Sequence, residues 1–134
     1  MRDTTAQLIR LRIEAARETL RDAGTMLREG SLRSAMNRIY YAMFYATLAL
    51  LATRDLKSSK HSGAIALFHR EFIRTGVFPR ELGKYLDRAF DLRIGGDYRE
   101  YVVLERPKLE ILFEKAKAFV SKAEEVLAGA GIDN

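Results

Sequence analysis

From Ile39 to Thr53 not one residue is charged, and Leu, Ala, Met, Phe and Tyr fall on every side of any helix the segment forms. A surface helix shows an apolar stripe, whereas one that is apolar all round belongs in the middle of a fold. At 1.5 Å per residue the uncharged run reaches only about 22 Å, short of an unassisted membrane span. The pattern predicts a central buried helix over Ser31–Arg54, capped by Ser31 and entered through Asn37, Arg38, Tyr40 and Tyr41. Polar groups at the mouth of a core helix need partners or a ligand.

The flanking segments read as amphipathic helices. Leu8, Leu11, Ala15, Ala16, Leu20, Ala23 and Leu27 follow helical spacing, which predicts a first helix from a Thr4 or Thr5 cap to about Glu29, stopped by Gly30. Beyond the polar connection Thr53–Ser59, residues Ile65, Phe68, Phe72 and Ile73 predict a third helix, capped by Ser58 or Ser59 and stopped by Gly76. Leu82, Tyr85, Leu86, Ala89 and Phe90 predict a fourth, opened by Pro79 and ending near Arg93. Ile94–Tyr98 then reads as a Gly-Gly break, followed by irregular chain through Val103. The last helix starts around Arg106-Pro107, with Leu109, Leu112, Phe113, Ala116, Phe119, Val120, Ala123, Val126 and Leu127 on its inner face.

There is no strand pattern, repeat or linker, and the connections are short, so neighbouring helices should run antiparallel. The expectation is an all-α, up-and-down bundle of four to five helices. It forms one domain over residues 1–134, with 1–3 and 129–134 frayed.

Composition narrows the setting. A chain of 134 residues is long enough for a hydrophobic core without staples. Cysteine is absent, which excludes disulfide and thiolate chemistry, and Met1–Arg12 has no apolar signal core. A soluble cytoplasmic protein with no membrane association is expected. The net charge of +5 favours a polyanionic partner, but acidic residues are interspersed throughout and there is no polybasic tail. Two histidines and no cysteine argue against a zinc site, and no cofactor is expected.

Three clusters can carry chemistry. Asn37 and Tyr41 stack one helical turn apart with Arg38 beside them. Arg offers a planar fork of donors to phosphate, Asn reads a base edge or carbonyl, and Tyr stacks a base. The structural alternative is a buried polar network tying this helix to its neighbours. Lys57, Ser58, Ser59, Lys60 and His61 crowd a helix N-terminus, where free N–H groups and two lysines suit an anion and His61 can act near neutral pH. An ordinary capped helix start is the alternative, and His69 reads as surface. Arg93, Asp97 and Tyr98 gather a guanidinium, a carboxylate and a phenol around two glycines; a plain C-cap explains Arg93 and the glycines but not Asp97 and Tyr98. No Gly-rich phosphate loop, serine triad or paired-acid motif appears.

Together, three segments resemble the HEPN superfamily, in its branch of small single-domain proteins. They are Ser34–Phe44 with Asn37, Arg38, Tyr40 and Tyr41; Lys60-His61-Ser62-Gly63 with Phe68, Phe72 and Thr75-Gly76; and Arg93 with Gly96-Asp97-Tyr98. The resemblance implies a four- to five-helix bundle that commonly dimerises and pairs with a minimal nucleotidyltransferase in toxin–antitoxin or related defence systems. Active members are metal-independent ribonucleases that use Arg, four to six intervening residues, then His. Arg93 is followed at those positions by Tyr98, Arg99 and Glu100, so the motif lacks its histidine. Tyrosine is a poor proton shuttle near pH 7, its ordinary pKa being about 10. Arg54 and His61 have the right separation but join the wrong pair of helices.

The functional expectation is an RNA- or nucleotide-binding module, homodimeric, with a nucleotidyltransferase-fold partner. Asn37, Arg38, Tyr41, Lys57, Lys60 and Asp97 would bind. His61, Arg93 and Tyr98 would be the catalytic set if the protein is an endoribonuclease toxin, with His61 reaching the cleft to supply the missing imidazole. The remaining alternative is a non-catalytic dimerisation and partner-binding bundle.

Overall fold

The computed structural model describes residues 3–98 and 103–132, the side chains of 94–98 excepted. The described chain is all helical: α1 (Asp3–Glu29), α2 (Leu32–Ala52), α3 (His61–Phe68), α4 (Arg80–Tyr98) and α5 (Arg106–Gly129). α2 is the hub. It packs on all four other helices, and 12 of its 21 residues are buried. From Ile39 onward its uncharged sequence has no polar face to give to solvent, and no residue of that stretch is exposed.

α1 lies against α2 and α5 with Ala16, Leu20, Ala23 and Leu27 inward as predicted, and it departs from the predicted face at its N-terminal turns. Ile9, Ile13, Ala16, Ala23 and Leu27 are buried, while Leu8 and Leu11 stay 41% and 64% exposed. Both sets satisfy the three-and-four spacing. The Ile9 series runs unbroken through Leu20 along the whole helix, and the longer seam wins. Arg17 of α1 pairs with Glu124 of α5, and Arg106 Nη1 donates to the Leu27 carbonyl at 2.6 Å, covering the open end of α1. These contacts set α1 and α5 antiparallel.

α3 does not stop where α-helical bonding stops. It continues as a π-helical turn, His69–Ile73, in which the Arg74 N–H reaches the His69 carbonyl at 2.9 Å. The chain then turns at Gly76 (φ +80), as expected from sequence. Phe68 packs on Phe72, Phe78 and Phe119 of α5 in a sealed cluster, each ring no more than 1% exposed, with the Phe78–Phe119 ring centroids 4.8 Å apart. Burial of each such ring contributes about 1.5–3 kcal/mol.

The predicted break after Arg93 is absent. α4 continues through Gly95 and Gly96 to Tyr98. Glycine weakens a helix by about 1 kcal/mol relative to Ala without forbidding it, and Leu82, Leu86 and Ala89 anchor α4 on the core. Arg93 is therefore a mid-helix residue and not a C-cap.

Candidate functional site

The polar entrance of α2 lines an open cleft of about 230 Å³. Asn37 and Arg38 stand on one wall with Arg33 and Ser34 one turn earlier; Leu92 and Arg93 of α4 face them, and Met26 and Leu104 close the ends. Three guanidinium groups, an amide and a hydroxyl thus converge among the described lining residues. Such a donor set fits phosphate or another oxyanion, which planar guanidinium forks recognise through paired hydrogen bonds.

Behind this cleft, α2 and α3 build an aromatic cluster around His61. The His61 ring stacks on Phe44 with centroids 4.0 Å apart and planes 13° apart, and Tyr41 meets it edge-on at 5.8 Å. Tyr40 Oη lies 2.7 Å from His61 Nδ1. Local sequence sets the ring there. Ser58 folds over the first turn of α3, its Oγ accepting from the Lys60 N–H at 3.3 Å. A Cβ on Gly63 would lie 2.2 Å from that oxygen, so only glycine leaves room for Ser58.

Arg93 joins the two halves. It lines the cleft, and its guanidinium carbon sits 5.0 Å from the Tyr41 ring centroid and 5.6 Å from that of Tyr40. Cation–π attraction holds such a group over the ring faces. Electrostatics follow the geometry. Burial pushes the Tyr40 phenol well above its ordinary range, with Arg93 opposing that shift and Tyr41 adding to it. Burial first, and the Arg93 charge second, hold His61 below the ordinary 6.5 of a histidine.

Of the sequence-derived site residues, Asn37, Arg38 and Arg93 share the cleft, while Tyr41 and His61 belong to the aromatic cluster that Arg93 touches. Lys57 and Lys60 are exposed, and neither lines the cleft. Lys60 is the N-cap residue of α3, and the helix start has no side-chain cap from Ser59. Asp97 and Tyr98 lie on α4, but their side chains are outside the described residues. Arg54 is turned away from His61, onto the Phe72 ring at 4.2 Å and the Glu71 carbonyl at 2.6 Å. His69 is not plain surface: its Nε2 lies 2.9 Å from Asp87 Oδ1.

Sequence reasoning missed Arg33, Ser34 and the part played by Tyr40. Arg33 and Ser34 precede Asn37 and Arg38 by four residues, a spacing that puts them on the same helix face. Tyr40 carried no comparable signal, because its partner is 21 residues away.

The HEPN domain family model matches residues 9–128. The chain belongs to the HEPN family. Among its relatives, a UPF0332 protein of Thermotoga maritima is 46% identical over 112 residues, covering 84% of this chain and 85% of the relative. The Methanocaldococcus jannaschii protein named "Putative toxin MJ0142" is 32% identical over 120 residues, covering 90% and 82%. A second protein of that organism, "Putative toxin MJ0605", is 32% identical over 115 residues. The HEPN match takes in both walls of the arginine cleft and all of the aromatic cluster. No helix among the described residues of this HEPN chain is long and apolar enough to cross a membrane.

Proposed function

We propose that this HEPN protein is a toxin-type module that binds RNA or a nucleotide through phosphate in the arginine cleft. The observation that carries the reading is the convergence of Arg33, Arg38 and Arg93 with Asn37 on one open cleft. The Tyr41 ring under Arg93 gives a base an aromatic face beside the phosphate site. Two relatives named as putative toxins support the toxin setting. A minimal nucleotidyltransferase is the partner we assign, in the cytoplasm, on the family's usual association.

A homodimer is the assembly we assign. Val103 and Ile111 are 81% and 56% exposed beside a largely apolar groove of about 470 Å³ between α4 and α5. A two-fold contact would cover such a patch. Light scattering at micromolar concentration should then give twice the chain mass, and a clean monomer would contradict it.

A second reading, a metal-independent endoribonuclease, is favoured by one observation: His61 and Arg93 meet on the same two tyrosine rings. Titration of labelled single-stranded RNA against the wild type and Arg38→Ala tests the binding reading. The variant should bind about ten- to a hundredfold more weakly, the loss expected when one charged hydrogen bond worth about 1.5–3 kcal/mol is removed. No wild-type binding would end that reading. RNA that is bound yet left intact in EDTA across pH 5–9 would remove the nuclease reading and keep the binding one.

A further inference from the structure

Tyr40 and His61 meet where only one arrangement of protons leaves no buried group unpaired. Tyr40 is 0% exposed, so its hydroxyl hydrogen has no water to reach. Among the described residues its oxygen has one polar partner, His61 Nδ1, at 2.7 Å. If Nδ1–H were the donor, the phenol would accept, and its own hydrogen would be buried with no acceptor, an arrangement folded proteins avoid. The hydroxyl therefore donates and Nδ1 accepts. A neutral imidazole that accepts at one nitrogen carries its hydrogen on the other. His61 Nε2 has no hydrogen-bond partner among the described residues and is not buried, so it is open to solvent on the side away from Tyr40.

We propose that Tyr40 is a positioning residue that fixes His61 as a neutral ring with its hydrogen on Nε2, so that the ring donates a hydrogen bond to a ligand's acceptor oxygen and offers no base. The groups that face the ring all favour this state. α2 contributes Tyr40 and Tyr41, α4 contributes the Arg93 guanidinium, and α3 contributes its own N-terminal amides with Lys60 in front of them. Among the described residues none of these groups is a carboxylate. A second proton, at Nδ1, would point at a hydroxyl that already donates, and it would place a positive charge next to Arg93 and at the positive end of a helix. Phe44, stacked at 4.0 Å, fixes the plane of the ring and hence the direction of the Nε2–H.

The ligand part rests on the RNA- or nucleotide-binding reading and deepens it. The acceptor would be a phosphate or ribose oxygen that Arg93 and His61 read together, one with charge and the other without. A neutral Nε2–H neither takes a proton nor gives one up readily. The site so described binds RNA and leaves it uncut.

Long-range ¹H–¹⁵N correlation spectra of the full chain at pH 7 test the proton placement directly. A pyridine-like Nδ1 with a pyrrole-like Nε2 is the expected pattern; the reverse pattern, or a doubly protonated ring, overturns the proposal. Tyr40→Phe keeps the ring packing and removes the hydroxyl. It should release His61 to a mixture of tautomers and raise its protonation midpoint, and an unchanged tautomer in the folded variant overturns the positioning role. The wild-type spectrum stands by itself, so a variant that fails to fold does not protect the proposal.

Titration with 5′-phosphorylated single-stranded RNA tests the ligand part. His61→Gln, which keeps an N–H near the Nε2 position, should bind within about threefold of wild type, and His61→Ala about tenfold more weakly. Equal binding by His61→Ala overturns the donor role. If the wild type binds no RNA, the binding reading of the previous subsection fails together with the ligand part, while the nitrogen spectra still decide where the proton sits.

Discussion

Two aromatic clusters stand at the two ends of α3, and they are made of different chemistry. At its last residue Phe68 joins Phe72, Phe78 and Phe119, four hydrocarbon rings shut off from water. At its first residue His61 joins Tyr40, Tyr41 and Phe44, rings that carry hydroxyls and ring nitrogens under a guanidinium. Arg54 caps the Phe72 ring of the first cluster, but only in the second do the packed rings themselves carry polar atoms that must be satisfied by one another or by a ligand. Hydrocarbon rings would have packed there at lower desolvation cost. The polar choice at one end and the apolar choice at the other separate what holds the bundle together from what it presents to a partner.

That separation can be broken by mutation. The largest effect is expected from Phe68→Ala, a buried large-to-small change costing about 3–5 kcal/mol in urea unfolding. RNA affinity per folded molecule should stay within about threefold; a stability loss below about 1 kcal/mol would mean the sealed cluster is not the core. Arg93→Ala is expected to do the opposite, weakening RNA binding by about 1.5–3 kcal/mol with little change in the urea midpoint. A collapse of stability in that variant would make the two clusters alike.

Gly83→Ala sharpens the boundary of the sealed end. Its new Cβ would lie 2.9 Å from Ile73 Cδ1 and 3.1 Å from His69 Cε1. Overpacking of this kind costs about 1–3 kcal/mol, read by urea unfolding, and RNA binding should be untouched.

The smallest effect is the pH dependence. His61 is held below 6.5 in the folded chain, while an unfolded histidine protonates near about 6.5. Between those two values the unfolded state binds more protons, so stability is full above that window and falls as pH drops through it. Wild type minus His61→Gln in thermal unfolding between about pH 5 and 7 isolates the slope. The difference should rise toward high pH; one that grows as the pH falls would contradict the assigned direction.

Much of the fold was legible in the chain because its strongest signals are local. The uncharged run marked α2 as the hub, Arg106-Pro107 marked the start of α5, and Gly76 marked the turn after α3. The α1 seam was legible from Ala16 onward but not in its first turns. Leu8 and Leu11 fit helical spacing as well as Ile9 and Ile13 do, and only the helices lying against α1 choose between them. The continuation of α4 through Gly95 and Gly96 was hidden for a related reason: propensity is a weak force beside the packing of the preceding turns.

The site divides in the same way. Asn37 and Arg38 could be picked out where they stand, at the polar mouth of an apolar helix. Their meeting with Arg93 from α4, and that of Tyr40 with His61, depend on how three helices come together. His69 read as surface because its neighbours in sequence are charged; what fixes it is Asp87, a turn beyond Gly83 on α4.

The π-helical turn at His69–Ile73 has a consequence for chain length. A π turn is, in effect, a helix with one residue wound in beyond what α-helical bonding needs. Loss of a single codon within it would let the segment close into an ordinary helix, with the short stretch 74–79 left to absorb a rotation of about 100°. The same loss midway through α2 would turn residues packed on every side by that angle into the wrong neighbours. Single-residue deletions scanned along the gene should therefore find tolerance near residue 70 and none near residue 43, measured as the yield of folded protein.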